Sequence, residues 1–121
     1  MSGRAEIDAH LRGLEPVWEE GMGDAYAFYR PRAAPEVALA AAMVEAGLRL
    51  QRLGGEAPDP SRLLIGDLCL ARASRLLAET RDQRLQVGFA SAVERVAAAA
   101  TGGPPAPPLR DLLAATIAGV R

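Results

Sequence analysis

The chain contains no lysine and no asparagine, a single histidine, a single cysteine and few aromatic residues. Several of these scarcities remove a class of function. One cysteine, Cys69, forms no intrachain disulfide and builds no cysteine-based metal site, and a reducing compartment is the simplest expectation. All 14 positive residues are arginine, which reads as coding bias without functional content. With 15 acidic residues they leave a formal charge of −1, so no basic face is available to neutralise a nucleic-acid backbone at several points. Nucleic acid is not an expected partner. No stretch approaches the ~20 apolar residues that cross a bilayer. "MSGRAEIDAHLRG" places charge where a secretory signal needs an apolar run, so the expectation is a soluble, cytoplasmic protein.

Strand signals are scarce as well, because alternating runs are missing and Ala, Leu, Arg and Glu dominate. What remains is helical punctuation. At 121 residues, half of them hydrophobic, the chain is expected to form one domain, residues 1–121, built as an all-α bundle of about five helices. The first spans Arg4 to Glu20, with Pro16 bending or interrupting it. The segment from Gly21 to Pro35 is an irregular packed connection containing a helical turn. A second helix runs from Pro35 to Leu53 and stops at Gly54-Gly55; from Val37 to Val44 it has no polar residue and so belongs at the bundle centre. The third begins at Ser61 as a cap, the fourth at Asp82. Thr101-Gly102-Gly103 ends the fourth, and residues 101–108 form a Gly/Pro-rich connector before a short helix from Leu109 to Val120.

"SRLLIGDLCLARASRLLAE" poses a physical problem in the third helix. Gly66 costs about 1 kcal/mol there relative to alanine, and Asp67 needs a partner if buried. A helical wheel places Leu63, Ile65, Gly66, Cys69, Leu70, Ala73, Leu76 and Leu77 on one apolar arc, with Arg72, Arg75 and Glu79 on the far side. Asp67 falls at the edge of the arc beside Leu63, Ala71 and Ser74. It is expected to be partly buried and satisfied by a hydrogen bond or an arginine. Gly66 is expected to admit a close neighbouring helix.

These residues carry a resemblance. "LLIGDLCLARASRLLAET" resembles the Gly-Asp helix of the trans-prenyl diphosphate synthases, and "RDQRLQVGFASAVERVAAAATGG" is similar to the helix that follows it there. The likeness covers Pro60 to Gly102 well and Pro35 to Leu53 loosely. Catalytic members hold diphosphate through magnesium bound by an aspartate-rich cluster. The matching helix here, "EVALAAAMVEAGLRLQRLGG", offers only Glu36 and Glu45, apart from one another. The resemblance therefore implies the small, non-catalytic subunit of a two-component heptaprenyl or hexaprenyl diphosphate synthase of quinone biosynthesis. Such a chain would have the fold of the N-terminal isoprenoid synthase helices and support chain elongation and product-length control by a catalytic partner subunit. Leu63, Gly66, Asp67, Leu70 and Ala71 are the structural or interface candidates, with no catalytic residue, cofactor or metal ligand expected.

Other groupings read as structural. His10 beside Glu6 and Asp8 reads as a surface histidine, and Glu15, Glu19, Glu20 and Asp24 as an acidic solvated helix end rather than a cation site. Trp18, Tyr26, Phe28 and Tyr29 fit the core, with partner contact as the other reading. Alanines such as Ala41, Ala46, Ala92 and Ala98 bury little area each, so leftover apolar surface predicts a homodimer when the chain is isolated. No nucleophile–base pair or phosphate-cradling glycine loop points to an independent enzyme. A free-standing helical protein-interaction domain of unrelated function is the alternative to a synthase subunit.

Overall fold

The computed structural model describes residues 6–51 and 59–119. Among them every regular element is helical. A 3-10 turn, Asp8–Leu11, leads to helix α1 (Glu15–Val17); a wide turn, Trp18–Met22, then joins it to α2 (Gly23–Tyr29). After a second 3-10 turn, Arg30–Arg32, come α3 (Pro35–Gln51), α4 (Pro60–Thr80), α5 (Gln83–Ala100) and α6 (Leu109–Ala118).

The continuous helix expected from Arg4 to Glu20 is instead broken at Gly13 and runs into the wide turn that holds Gly21, while Arg4 lies outside the described residues. Gly13 takes φ +84° and Gly21 φ +141°, a region that side chains with a Cβ avoid. Pro16 does not cause the break; it sits in the first turn of α1, where its missing N–H is no loss. The residues at helical spacing largely keep their role even so: Ile7, Leu11 and Leu14 are buried and Trp18 is half-buried. The irregular connection expected after Gly21 is largely α2, whose Tyr26 and Tyr29 belong to the core.

α3 is the axis of the bundle. Every residue from Val37 to Val44 is buried, as its unbroken apolar run requires. Pro35 opens it, whereas Leu53 and the glycines at 54 and 55 lie outside the described residues. α4 is capped by Asp59, whose carboxylate accepts from the Arg62 N–H at 3.0 Å, rather than by Ser61: Pro60 already occupies the first helical position, so the cap falls one residue earlier. Asp82 caps α5 as its sequence predicts, accepting from the Leu85 N–H at 3.2 Å. At the other end of α5, Gly102 adopts φ +94°, and the Gly103 N–H returns to the Ala98 carbonyl at 2.7 Å. This 6→1 bond ends the helix and fixes the start of the 101–108 connector. The last helix stops at Ala118, with Gly119 left-handed behind it. α6 folds back on its own chain, where Leu113 is fully buried.

Candidate functional site

The Gly-Asp helix meets α3 at a crossing made of two glycines. A Cβ on Gly66 would lie 3.1 Å from the Gly47 carbonyl oxygen; one on Gly47 would lie 3.0 Å from the Gly66 carbonyl oxygen and 2.8 Å from Leu70 Cγ. The helices thus touch backbone to backbone, and the propensity cost of each glycine is offset by packing around it. Gly66, Cys69, Ala73, Leu76 and Leu77 form the buried side of α4. Gly47 was missed by sequence reasoning, although a glycine inside an apolar helix carries the same signal there as at Gly66.

Asp67 meets its expectation in part: a hydrogen bond satisfies it, but it is not buried. It is exposed, and its carboxylate accepts a 2.8 Å hydrogen bond from Gln51 Nε2, the last residue of α3, not from an arginine. Rotation by one position past Gly66 carries it clear of the α3 contact. Leu63 and Ala71 likewise lie outside the buried arc: Leu63 is 42% exposed and Ala71 is exposed. Leu70 is half-buried over Gly47.

The outer side of α4 thus carries exposed leucines alongside its arginines. Leu64 is 70% exposed, Leu68 37%, and Val87 on α5 62%; Leu64, Leu68 and Ala71 follow one another at i, i+4 and i+7. On another face of α4 an open groove of about 460 Å3 separates it from α5. Its floor is Val44, Ala73, Leu77 and Phe89, with Leu70 and Val93 on the walls and Ser74, Gln86 and Glu94 as polar members of the lining. An apolar groove with the exposed Leu63 on the same helix face as its Leu70 forms a surface fitted to another helix.

Two polar clusters hold the bundle together on other sides. Glu45, an isolated carboxylate in the sequence, is 14% exposed and accepts two charge-assisted bonds from Arg110, from Nε at 3.0 Å and Nη2 at 2.9 Å. It also accepts from the Tyr29 hydroxyl. The Arg110 guanidinium lies 4.7 Å from the Phe28 ring centroid, and Arg32 lies over the same ring at 3.9 Å. Burial, with the hydrogen bond to Glu45, pushes the Tyr29 phenol well above its usual range, so it stays a donor. The second cluster joins Glu6, Arg30 and Tyr26. Arg30 binds both Glu6 oxygens at 3.0 Å and Tyr26 donates at 2.8 Å. The Arg30 bond, then Tyr26, holds the Glu6 carboxyl down at about 2. Its folded value lies below the ordinary 4.5, so the stabilising contribution of this contact is complete above pH 4.5 and is lost as pH falls toward 2.

The remaining candidates are structural. His10 is half-buried, and its carbonyl accepts from Arg72 Nη1 at 3.0 Å. Among the described residues no group of three His, Cys, Asp or Glu side chains is arranged to hold a metal ion, the Glu15–Asp24 stretch included. Cys69 is fully buried, and burial pushes its thiol up to about 11, so it is no thiolate at neutral pH. Trp18 packs on Tyr26 with ring centroids 5.6 Å apart. No described helix is long and apolar enough to cross a membrane. Comparison with family models, curated proteins and solved structures finds no match to the chain.

Proposed function

We propose that the chain is a non-catalytic helical subunit of a two-component prenyl diphosphate synthase, docking on a catalytic chain through the outer face of α4 and the groove it shares with α5. The observation that carries the reading is the two-sidedness of the Gly-Asp helix. Its glycine side is used up inside the chain against Gly47, whereas Leu63, Leu64 and Leu68 remain exposed, Leu63 on the face that lines an apolar groove. The resemblance of residues 60–102 to the synthases supplies the kind of partner. In this reading the catalytic chain brings the carboxylates that hold magnesium and diphosphate. This chain contributes helical surface that shapes the tunnel in which the product grows, and product length depends on both subunits.

Co-expression with the catalytic synthase chain encoded nearby tests the proposal. The two should co-purify and together elongate isoprenoid diphosphates in the presence of magnesium. Replacing Leu64 and Leu68 by glutamate should abolish co-purification while leaving the far-ultraviolet circular dichroism unchanged. Equal turnover and equal product length with and without this chain would reject the reading in favour of a free-standing interaction domain, which would use the same face for an unrelated protein.

A further inference from the structure

On the side of α4 away from the groove, three arginines meet in one concave pocket. Arg72 and Arg75 stand one turn apart on α4, and Arg12 reaches the same pocket from the segment after the first 3-10 turn. His10, Ala9, Leu76 and Glu79 complete its lining, around about 340 Å3. That volume lies at the lower end of small-molecule sites, roughly 300–1,000 Å3. Arg72 is held in place by its 3.0 Å bond to the His10 carbonyl, which also ties the N-terminal segment to α4.

The charges in this pocket are not balanced. Glu79 is the only acidic residue of the lining, and none of the described ion pairs joins it to Arg12, Arg72 or Arg75. Arg75 precedes Glu79 by four positions, the less favourable order for an i, i+4 pair. Three positive charges against one negative leave +2 in a chain whose total is −1. Mutual repulsion of guanidiniums in one concavity is a cost that a multiply charged oxyanion would relieve. Guanidinium forks match phosphate oxygens two at a time.

We infer that this pocket binds the phosphate group of a small phosphorylated compound, gripped by Arg12 and Arg75 against the fixed guanidinium of Arg72. The pocket lies away from the groove, on the face of α4 that also carries Leu68, and its occupancy in the isolated chain does not depend on the docking reading.

Thermal unfolding of the full chain in inorganic phosphate, against chloride at matched ionic strength, tests the site. Phosphate stabilises proteins generally by exclusion from their surface, so the reading is the difference between variants. Wild type and Arg95→Ala, whose change lies on α5, should gain alike. Arg12→Ala and Arg75→Ala should bind phosphate about tenfold more weakly, as the loss of one charge-assisted contact implies. Glu79→Gln should bind it more tightly than wild type, an outcome no general salt effect produces. Equal midpoint gains in wild type, Arg12→Ala and Arg75→Ala, or weaker binding by Glu79→Gln, would overturn the site. A second arm uses phosphatidylcholine vesicles containing phosphatidic acid. Phosphate binding without sedimentation supports a soluble compound, whereas sedimentation lost in Arg12→Ala would overturn that source in favour of a lipid headgroup.

Discussion

Two helix pairs of the bundle cross over glycine, yet they meet different surfaces. α3 and α4 meet at Gly47 and Gly66, where each glycine faces the carbonyl oxygen of the other. α5 and α6 meet at Gly88, which faces the side chain of Thr116: a Cβ there would lie 2.4 Å from Thr116 Cγ2. A backbone cannot step aside, whereas a methyl group can be removed. The first pair is therefore a fixed frame around the buried axis of α3. The second is attached to that frame by replaceable side chains, among them Arg110 on Glu45, and is tied within itself by Arg84, which donates to the Thr116 carbonyl. Between the two pairs lies the apolar groove.

The sharpest way to break this contrast is Gly47→Val. Alanine alone would gain helix propensity, about 1 kcal/mol, but any Cβ meets Leu70 Cγ at 2.8 Å and the Gly66 carbonyl at 3.0 Å, and valine adds two methyls to the clash. Overpacking of this kind costs about 3 kcal/mol. Urea denaturation should show the midpoint falling with little change in slope. Removing the Leu70 side chain as well should not rescue it, since the carbonyl remains. Recovery of stability in the Gly47→Val, Leu70→Ala double variant would show that the crossing is not backbone-limited.

A smaller loss is expected at the link between the pairs. Glu45→Ala leaves Arg110 and the buried Tyr29 hydroxyl without their acceptor. Full burial would make such a loss about 3–5 kcal/mol; with Arg110 40% exposed, solvent screening reduces it to about 2 kcal/mol. A double-mutant cycle with Arg110→Met isolates the pair, and a coupling indistinguishable from zero would remove Glu45 as the anchor of α6.

How much of this was legible in the sequence differs between the same two regions. The bounds of α5, the Asp82 cap, the burial of Val37 to Val44 and the packing role of Gly66 all follow from local rules of periodicity, capping and glycine cost. The partner of Gly66 does not, because pairing two glycines requires knowing how two helices cross. Nor does the anchor: Glu45 and Arg110 stand 65 positions apart, and no spacing rule joins them. The early helix failed for another reason. Ile7, Leu11 and Leu14 keep a helical period and are all buried, so the pattern was sound, but Gly13 breaks the backbone beneath it. Leu64 and Leu68 fall outside the apolar arc of the wheel, beside Arg72 and Arg75, and a reading that looks for the buried arc passes over them.

The finest test of the contrast lies at the second crossing, where the effect should change sign. Gly88→Ala brings a Cβ against the Thr116 methyl, and threonine is stiff at its first torsion and further held by its hydroxyl bond to the Leu112 carbonyl at 3.0 Å. The variant should lose about 1 kcal/mol, the overpacking outweighing the propensity gain. Thr116→Ser removes the methyl and keeps the hydroxyl. In that background the same Gly88→Ala change should become neutral or stabilising, by up to about 1 kcal/mol, because the nearest remaining obstacle is Oγ1 at 3.2 Å, which moves by a few tenths of an ångström at little cost. Thermal midpoints of the four proteins in this cycle measure the reversal. A Gly88→Ala loss of the same size with and without the Thr116 methyl would mean that the helices themselves limit their approach here too, and the two crossings would then be of one kind.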